Sequence, residues 1–261
     1  MTPGILVERE GAIATVALSN PGKLNALTAS MWLALARTME TLSADDALRC
    51  IVLRGAGREA FAAGADIAEF AAVRDDARQG ERYHREYVHG ALKAVGESRH
   101  PAVAMIHGPC VGGGFEIACM CDLRIAGESA RFGVPINRLG FPIAYDELAA
   151  ALPLTGRAAA LEILVEGRVW EAREALEKRL VTRVVPDADL EREAYATARR
   201  IAEGAPLVNR WHKRFVRQLA PRPAALTAAE TAENFAYFAT EDYRIGMAAF
   251  ASRQKPRFKG R

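Results

Sequence analysis

His107-Gly108-Pro109-Cys110-Val111-Gly112-Gly113-Gly114-Phe115-Glu116 is the stretch on which the reading of this chain turns. It follows the apolar run Ala102–Ile106, which Pro101 introduces and which predicts a buried strand, and it leads into residues 115–121, which predict a helix. The first N–H groups of a helix have no acceptor within it, and the aligned peptide dipoles favour negative charge there. A run of small residues at such a point can hold a developing oxyanion, cradle a phosphate, or simply make a tight turn. The glycines are contiguous, unlike the spaced fingerprint of dinucleotide-binding folds, and no Lys-Ser/Thr pair follows as in a P-loop.

Working outward, a second segment of small residues, Phe61-Ala62-Ala63-Gly64-Ala65-Asp66-Ile67, lies between a predicted buried strand at 50–53 and a helical stretch. Small side chains there let a ligand approach the main chain. Further strands are predicted at 13–18, 123–126 and 181–185, and Thr28 is placed to cap a helix running to about Leu42. Alternating strands and helices mean an α/β fold, and this pattern does not separate a doubly wound sheet from other α/β arrangements. Beyond Leu190 only amphipathic helices remain, broken at Pro206, Pro221 and Pro223, so the expected division is a core of residues 1–195 and a helical region of residues 196–261. The charge-dense residues 75–85 read as a solvated helix or mobile loop.

Composition narrows the function classes. Among 261 residues, half are hydrophobic and about a quarter charged, which is ordinary for a globular protein and unlike a disordered or fibrous one. The 35 basic and 32 acidic residues leave a formal charge of +3, too mild to argue for nucleic acid but compatible with a polyanionic ligand at one pocket mouth. No apolar run approaches the length of a membrane span, and the first ten residues carry no basic-then-apolar pattern, so no secretion signal and a cytoplasmic location are expected. Cys50, Cys110, Cys119 and Cys121 read as buried free thiols, and neither they nor His84, His89, His100, His107 and His212 have metal-ligand spacing. No bound metal and no tightly held cofactor are expected. No serine nucleophile elbow is present.

The order and spacing of Asn20-Pro21-Gly22-Lys23-Leu24-Asn25-Ala26-Leu27, the Ala63-Gly64-Ala65-Asp66 loop, Gly112-Gly113-Gly114-Phe115-Glu116, Phe132-Gly133-Val134-Pro135 and the tail from Glu241 to Gly260 resemble the crotonase superfamily of enoyl-CoA hydratases and isomerases. The likeness covers nearly the whole chain. It implies a spiral of ββα units rather than a doubly wound sheet, with C-terminal helices that build a homotrimer or a dimer of trimers. It also implies an acyl-CoA substrate, with coenzyme A present only as part of it, and fatty-acid-type acyl chemistry.

Carried over residue by residue, the resemblance makes the backbone N–H groups of Ala65 and Gly113 the two donors to the thioester oxygen. Glu116 becomes the first of the two hydratase glutamates, acting as general acid or base. Lys23, Leu24 and Ala26 fall in the segment near the nucleotide, and Ala63, Asp66 and Ile67 along the pantetheine and adenine. Asp66 is also read as fixing its own loop. Arg253 aligns with a basic residue that reaches CoA phosphates across a subunit interface in hexameric relatives.

The chain departs from the family where the second glutamate follows Phe-Gly-x-Pro, because Ile136 stands there and cannot transfer a proton. A replacement acid from Tyr145, Asp146 or Glu147 is one reading, with Asp146 the first choice; a plain acidic helix start is the other. The loss raises decarboxylation or hydrolysis of a CoA thioester as alternatives to hydration or isomerisation. The basic tail from Arg253 to Arg261 leaves RNA binding, or a non-catalytic family member, as a minor alternative.

Overall fold

The computed structural model describes residues 2–220, 227–259 and 261; Pro221, Pro223 and Gly260, which entered the sequence reading, lie outside that set. In chain order the strands are β1 (Gly4–Glu10), β2 (Ile13–Ser19), β3 (Cys50–Gly55), β4 (Ala102–Ile106), β5 (Pro109–Val111), β6 (Leu123–Gly127), β7 (Arg131–Gly133), β8 (Val169–Glu171) and β9 (Arg183–Val185). One sheet runs β1-β2-β3-β4-β6-β9 and a smaller one β5-β7-β8. β1 and β2 form an antiparallel hairpin, and every later pairing in the large sheet is parallel. Parallel neighbours need crossovers. Here a crossover takes a rung in the small sheet and then a helix: β4, β5 and helix Gly113–Met120, then β6, β7 and helix Tyr145–Val165. That repeated strand-strand-helix turn is the ββα spiral the resemblance implied.

The two faces of the sheet follow strand parity. Ile51 and Leu53 of β3 and Ala102, Ala104 and Ile106 of β4 join Met31, Trp32, Leu35 and Met39 of helix Ala29–Ala44 in the main core. The alternate residues Cys50, Val52, Val103 and Met105 meet Leu190, Ala194 and Ala198 of helix Asp187–Glu203. Central strands buried on both faces read as continuous apolar runs, which is why they were visible in the sequence. The expected division at 195/196 falls inside helix Asp187–Glu203, and that helix covers one face of the sheet. A cut there would divide a core element, because helix periodicity alone does not reveal which face of a sheet the helix covers.

Helix Pro206–Leu219 has no buried residue and exposes Trp211, Phe215, Val216 and Leu219. Farther on, Phe235, Tyr237 and Tyr243 fold back onto Phe70 and Phe141. Residues 75–85 are not simply solvated, since Gly80 and Tyr83 are buried and a π-helical turn spans Tyr83–Val88. Taken end to end, the 21-residue helix Tyr145–Val165 is long and apolar enough to cross a membrane, contrary to the expectation. Gly156 (φ 71°, ψ 167°) breaks it into two shorter arms. All four cysteines are free and buried.

Thr28 caps helix Ala29–Ala44, its side chain accepting from Met31 N at 3.2 Å. Thr28→Ala is expected to cost about 1 kcal/mol, read as a lower urea midpoint at unchanged slope.

Candidate functional site

Two parallel bridges set the loops of small residues against each other. Leu27 pairs with Ala65, through Leu27 N to Gly64 O (2.7 Å) and Asp66 N to Leu27 O (2.8 Å). Ala62 pairs with Cys110, and Val111 N donates to Ala62 O at 3.1 Å. Gly112 has φ 51°, a conformation that favours glycine, and a Cβ built on it would lie 3.4 Å from Gly64 Cα. Gly113 opens helix Gly113–Met120 directly over Trp32: an added Cβ would sit 2.6 Å from the indole Cζ2. Among the described residues, neither Ala65 N–H nor Gly113 N–H has an acceptor, and both residues line a cavity of about 730 Å³.

Two glutamate side chains line this cavity in addition to Asp66. Glu116 sits in the first turn of helix Gly113–Met120 and Glu147 in the first turn of helix Tyr145–Val165, each only 5% exposed. Glu147 is paired through Oε1 with His84 Nδ1, and its Oε2 accepts from Ala144 N at 3.4 Å. Burial pushes the Glu116 carboxyl well above the ordinary range and the Glu147 charge pushes it further, with Arg74 pulling back only in part. Burial also acts to raise Glu147, but His84, Arg74 and the Ala144 N–H overcome it and hold that carboxyl below its ordinary value. Two titratable groups pushed apart in this way give one neutral acid and one ionised base at neutral pH. Much of the remaining wall is apolar and aromatic, formed by Trp32, Phe70, Tyr83, Ile136 and Phe141, with the cationic side chain of Arg74 set among them.

Of the residues singled out in the sequence, Ala65, Gly113, Glu116, Lys23, Ala26, Ala63, Asp66, Ile67 and Arg253 all line this cavity. Lys23 Nζ donates to Asp66 Oδ2 at 2.6 Å, and Asp66 accepts from Ala68 N at 3.3 Å, so this carboxylate does fix its loop. Arg253 lines the cavity of its own chain. Leu24 does not line it. Its side chain is exposed, and its carbonyl accepts from Ala63 N at 3.0 Å, a scaffold contact. Asp146 is likewise misplaced by the sequence reading. It is exposed and lies 3.3 Å from His89 on the surface, one position round the helix from the buried face.

That face carries Glu147 and Ala151, four residues apart, but Asp146 has Ala150 at the same spacing, so no local pattern in the sequence separates the two acids. His84 and Arg74 had no signal in the sequence either. They come from the crossover between β3 and β4, whose charge-dense sequence gives no hint that it folds inward.

The family model described as enoyl-CoA hydratase/isomerase matches residues 8–261. A "Probable enoyl-CoA hydratase" of Rhizobium meliloti is 36% identical over 262 residues, covering 98% of each chain. A crystal structure of an enoyl-CoA hydratase/carnithine racemase from Magnetospirillum magneticum is 49% identical, with TM-score 0.82, over 98% of this chain and 96% of that one. Methylmalonyl-CoA decarboxylase in complex with 2-nitronate-propionyl-CoA is 26% identical, with TM-score 0.88, over 98% of each. With loops, helices and sheets in the arrangement described above, the chain belongs to the enoyl-CoA hydratase/isomerase family of the crotonase superfamily.

Proposed function

We propose that this protein adds water to a 2-enoyl-CoA, or in the reverse direction removes it from a 3-hydroxyacyl-CoA, with Glu147 as base and Glu116 as acid. The observation that carries the reading is the pair of buried carboxyls with opposed protonation in one cavity with two unpaired amides. The amides of Ala65 and Gly113 would receive the thioester oxygen. As the enolate forms, charge grows on that oxygen, so these donors stabilise the transition state more than the substrate. Ionised Glu147, steadied by His84, would take a proton from the attacking water. Neutral Glu116 would deliver a proton to the α-carbon. Glu147 thereby supplies the second carboxylate that Ile136 lacks, from a different element. Coenzyme A enters only with the substrate, its phosphates meeting Lys23 and Arg253 at the rim.

A second reading, decarboxylation of a malonyl-type thioester, is favoured by the apolar Ile136 wall and by the structural likeness to methylmalonyl-CoA decarboxylase. Loss of carbon dioxide would need the same amide pair for the enolate but only one proton donor. The exposed apolar stripe Trp211, Phe215, Val216 and Leu219 is proposed to be the face through which three copies associate. Light scattering should give a mass three or six times that of one chain, reduced to one by Trp211→Glu with Phe215→Glu. A monomeric parent protein would refute this assembly.

Crotonyl-CoA hydration, followed by loss of the enoyl absorbance, tests the reaction. Glu116→Gln and Glu147→Gln should each lower kcat by about 10²–10⁴-fold, while Asp146→Asn should stay within about twofold. Full activity in Glu147→Gln would remove it as the base, and turnover of methylmalonyl-CoA without hydration would favour the second reading. In the hydration reading, kcat/KM should fall at low pH as Glu147 takes up a proton, below the ordinary carboxylate range. It should fall again at high pH, as Glu116 loses its proton well above that range.

A further inference from the structure

Arg74 is the least expected side chain in the cavity wall. It is 2% exposed, directly follows helix Phe70–Val73, and lines the same cavity as Glu116 and Glu147. Its guanidinium carbon lies 4.2 Å from the centre of the Phe70 ring and 4.6 Å from that of Phe141. Its Nη2 donates to Tyr237 Oη at 2.7 Å, and the Tyr243 hydroxyl is a further phenolic neighbour. Burial raises both phenols, so they remain neutral and cancel none of the cation's charge.

A guanidinium has five N–H donors, and a buried one ordinarily has a carboxylate or phosphate to receive them. Arg74 forms no ion pair among the described residues, and its Nε has no acceptor. The two nearby glutamates do not fill the gap. Glu116 is held neutral, and Glu147 has its acceptor bonds from His84 and Ala144 N. The cation is also separate from the groups suited to coenzyme A phosphates, because Lys23 and Arg253 are exposed at the rim whereas Arg74 is buried beside the carboxyls. Aromatic faces favour the cation in part but supply no hydrogen-bond acceptor in its plane.

We infer that the acyl group of the natural substrate carries a second carboxylate, and that Arg74 receives it within the acyl cavity. This deepens the proposed function and rests on its assignment of the cavity to an acyl-CoA. A planar carboxylate matches the guanidinium charge and its orphan Nε donor, whereas a neutral alkyl chain leaves a buried cation with that donor unused. Discrimination follows from that mismatch, since an apolar acyl end forfeits bonds that the site has already desolvated.

The test measures binding without turnover. Calorimetric Kd values are compared for succinyl-, glutaryl- and adipyl-CoA, each against the neutral thioester of equal carbon count: butyryl-, pentanoyl- and hexanoyl-CoA. At least one diacid thioester should bind the wild type about tenfold or more tightly than its neutral counterpart. That ratio should fall to about one in Arg74→Gln and only part of the way in Arg74→Lys. Because a ratio cancels general weakening, a partly loosened variant still reports, and should Arg74→Gln fail to fold, the wild type and Arg74→Lys decide. Equal binding of every pair by the wild type, or a preference that survives Arg74→Gln, would overturn the inference. If the diacid preference holds while crotonyl-CoA and its carboxylated analogue glutaconyl-CoA both resist hydration, the hydration reading fails and this one stands. Failure of every CoA thioester to bind would bring down both.

Discussion

Two buried carboxyl groups share one cavity, and the charge of either makes ionisation of the other more costly. Much of the site depends on how that conflict is resolved. Burial alone would raise both groups. The asymmetry comes from His84 and the Ala144 N–H, which serve Glu147 and have no counterpart at Glu116. One group is thereby left as a proton donor and the other as an acceptor, on two helices that begin at the same cavity. Arg74 adds a cation to this wall without forming an ion pair with either.

The scaffold supplies the frame for that pair. Bridges at Leu27–Ala65 and Ala62–Cys110 pin the two loops of small residues in register, so the unpaired amides belong to segments anchored by the backbone hydrogen bonds of their neighbours. Trp32 closes the floor beneath Gly113, and its Nε1 donates to the Tyr83 hydroxyl at 3.1 Å, tying that floor to the crossover that also carries Arg74 and His84. On the far side, the C-terminal segment contributes Tyr237 and Tyr243 to the aromatic cluster around Phe70 and Phe141. At the tail, the side chains of Lys259 and Arg261 both pair with Glu241, leaving less of the basic charge free for a nucleic-acid partner.

The parts legible in the sequence were those encoded locally. Continuous apolar runs marked the central strands β3 and β4, the Thr28 cap marked a helix start, and the glycine loops marked segments that line the cavity. Of the four three-residue strands only β9 fell within a stretch that read as a strand, whereas β5, β7 and β8 are too short to carry a period, and the edge strand β1 exposes most of its side chains and so lacks an apolar signature. The resemblance supplied the spiral topology that periodicity could not. The sequence reading put its replacement acid at Asp146, one position before the carboxyl that the structure buries. Asp146 and Glu147 are equivalent as a helix-start composition, and only the direction in which the helix turns buries one and exposes the other. His84 and Arg74 reach the site through long-range packing of a polar crossover, which nothing local announces.

Selective observation of the two side-chain carboxyls is the most direct measurement. In protein carrying ¹³C at the glutamate side-chain carboxyl, the signals lost in Glu116→Gln and in Glu147→Gln identify the pair. The account predicts that at neutral pH the Glu116 resonance is that of a carboxylic acid, titrating well above the ordinary range, while Glu147 is a carboxylate that protonates only below it. Two carboxylate resonances at pH 7, or the reverse assignment, would contradict it.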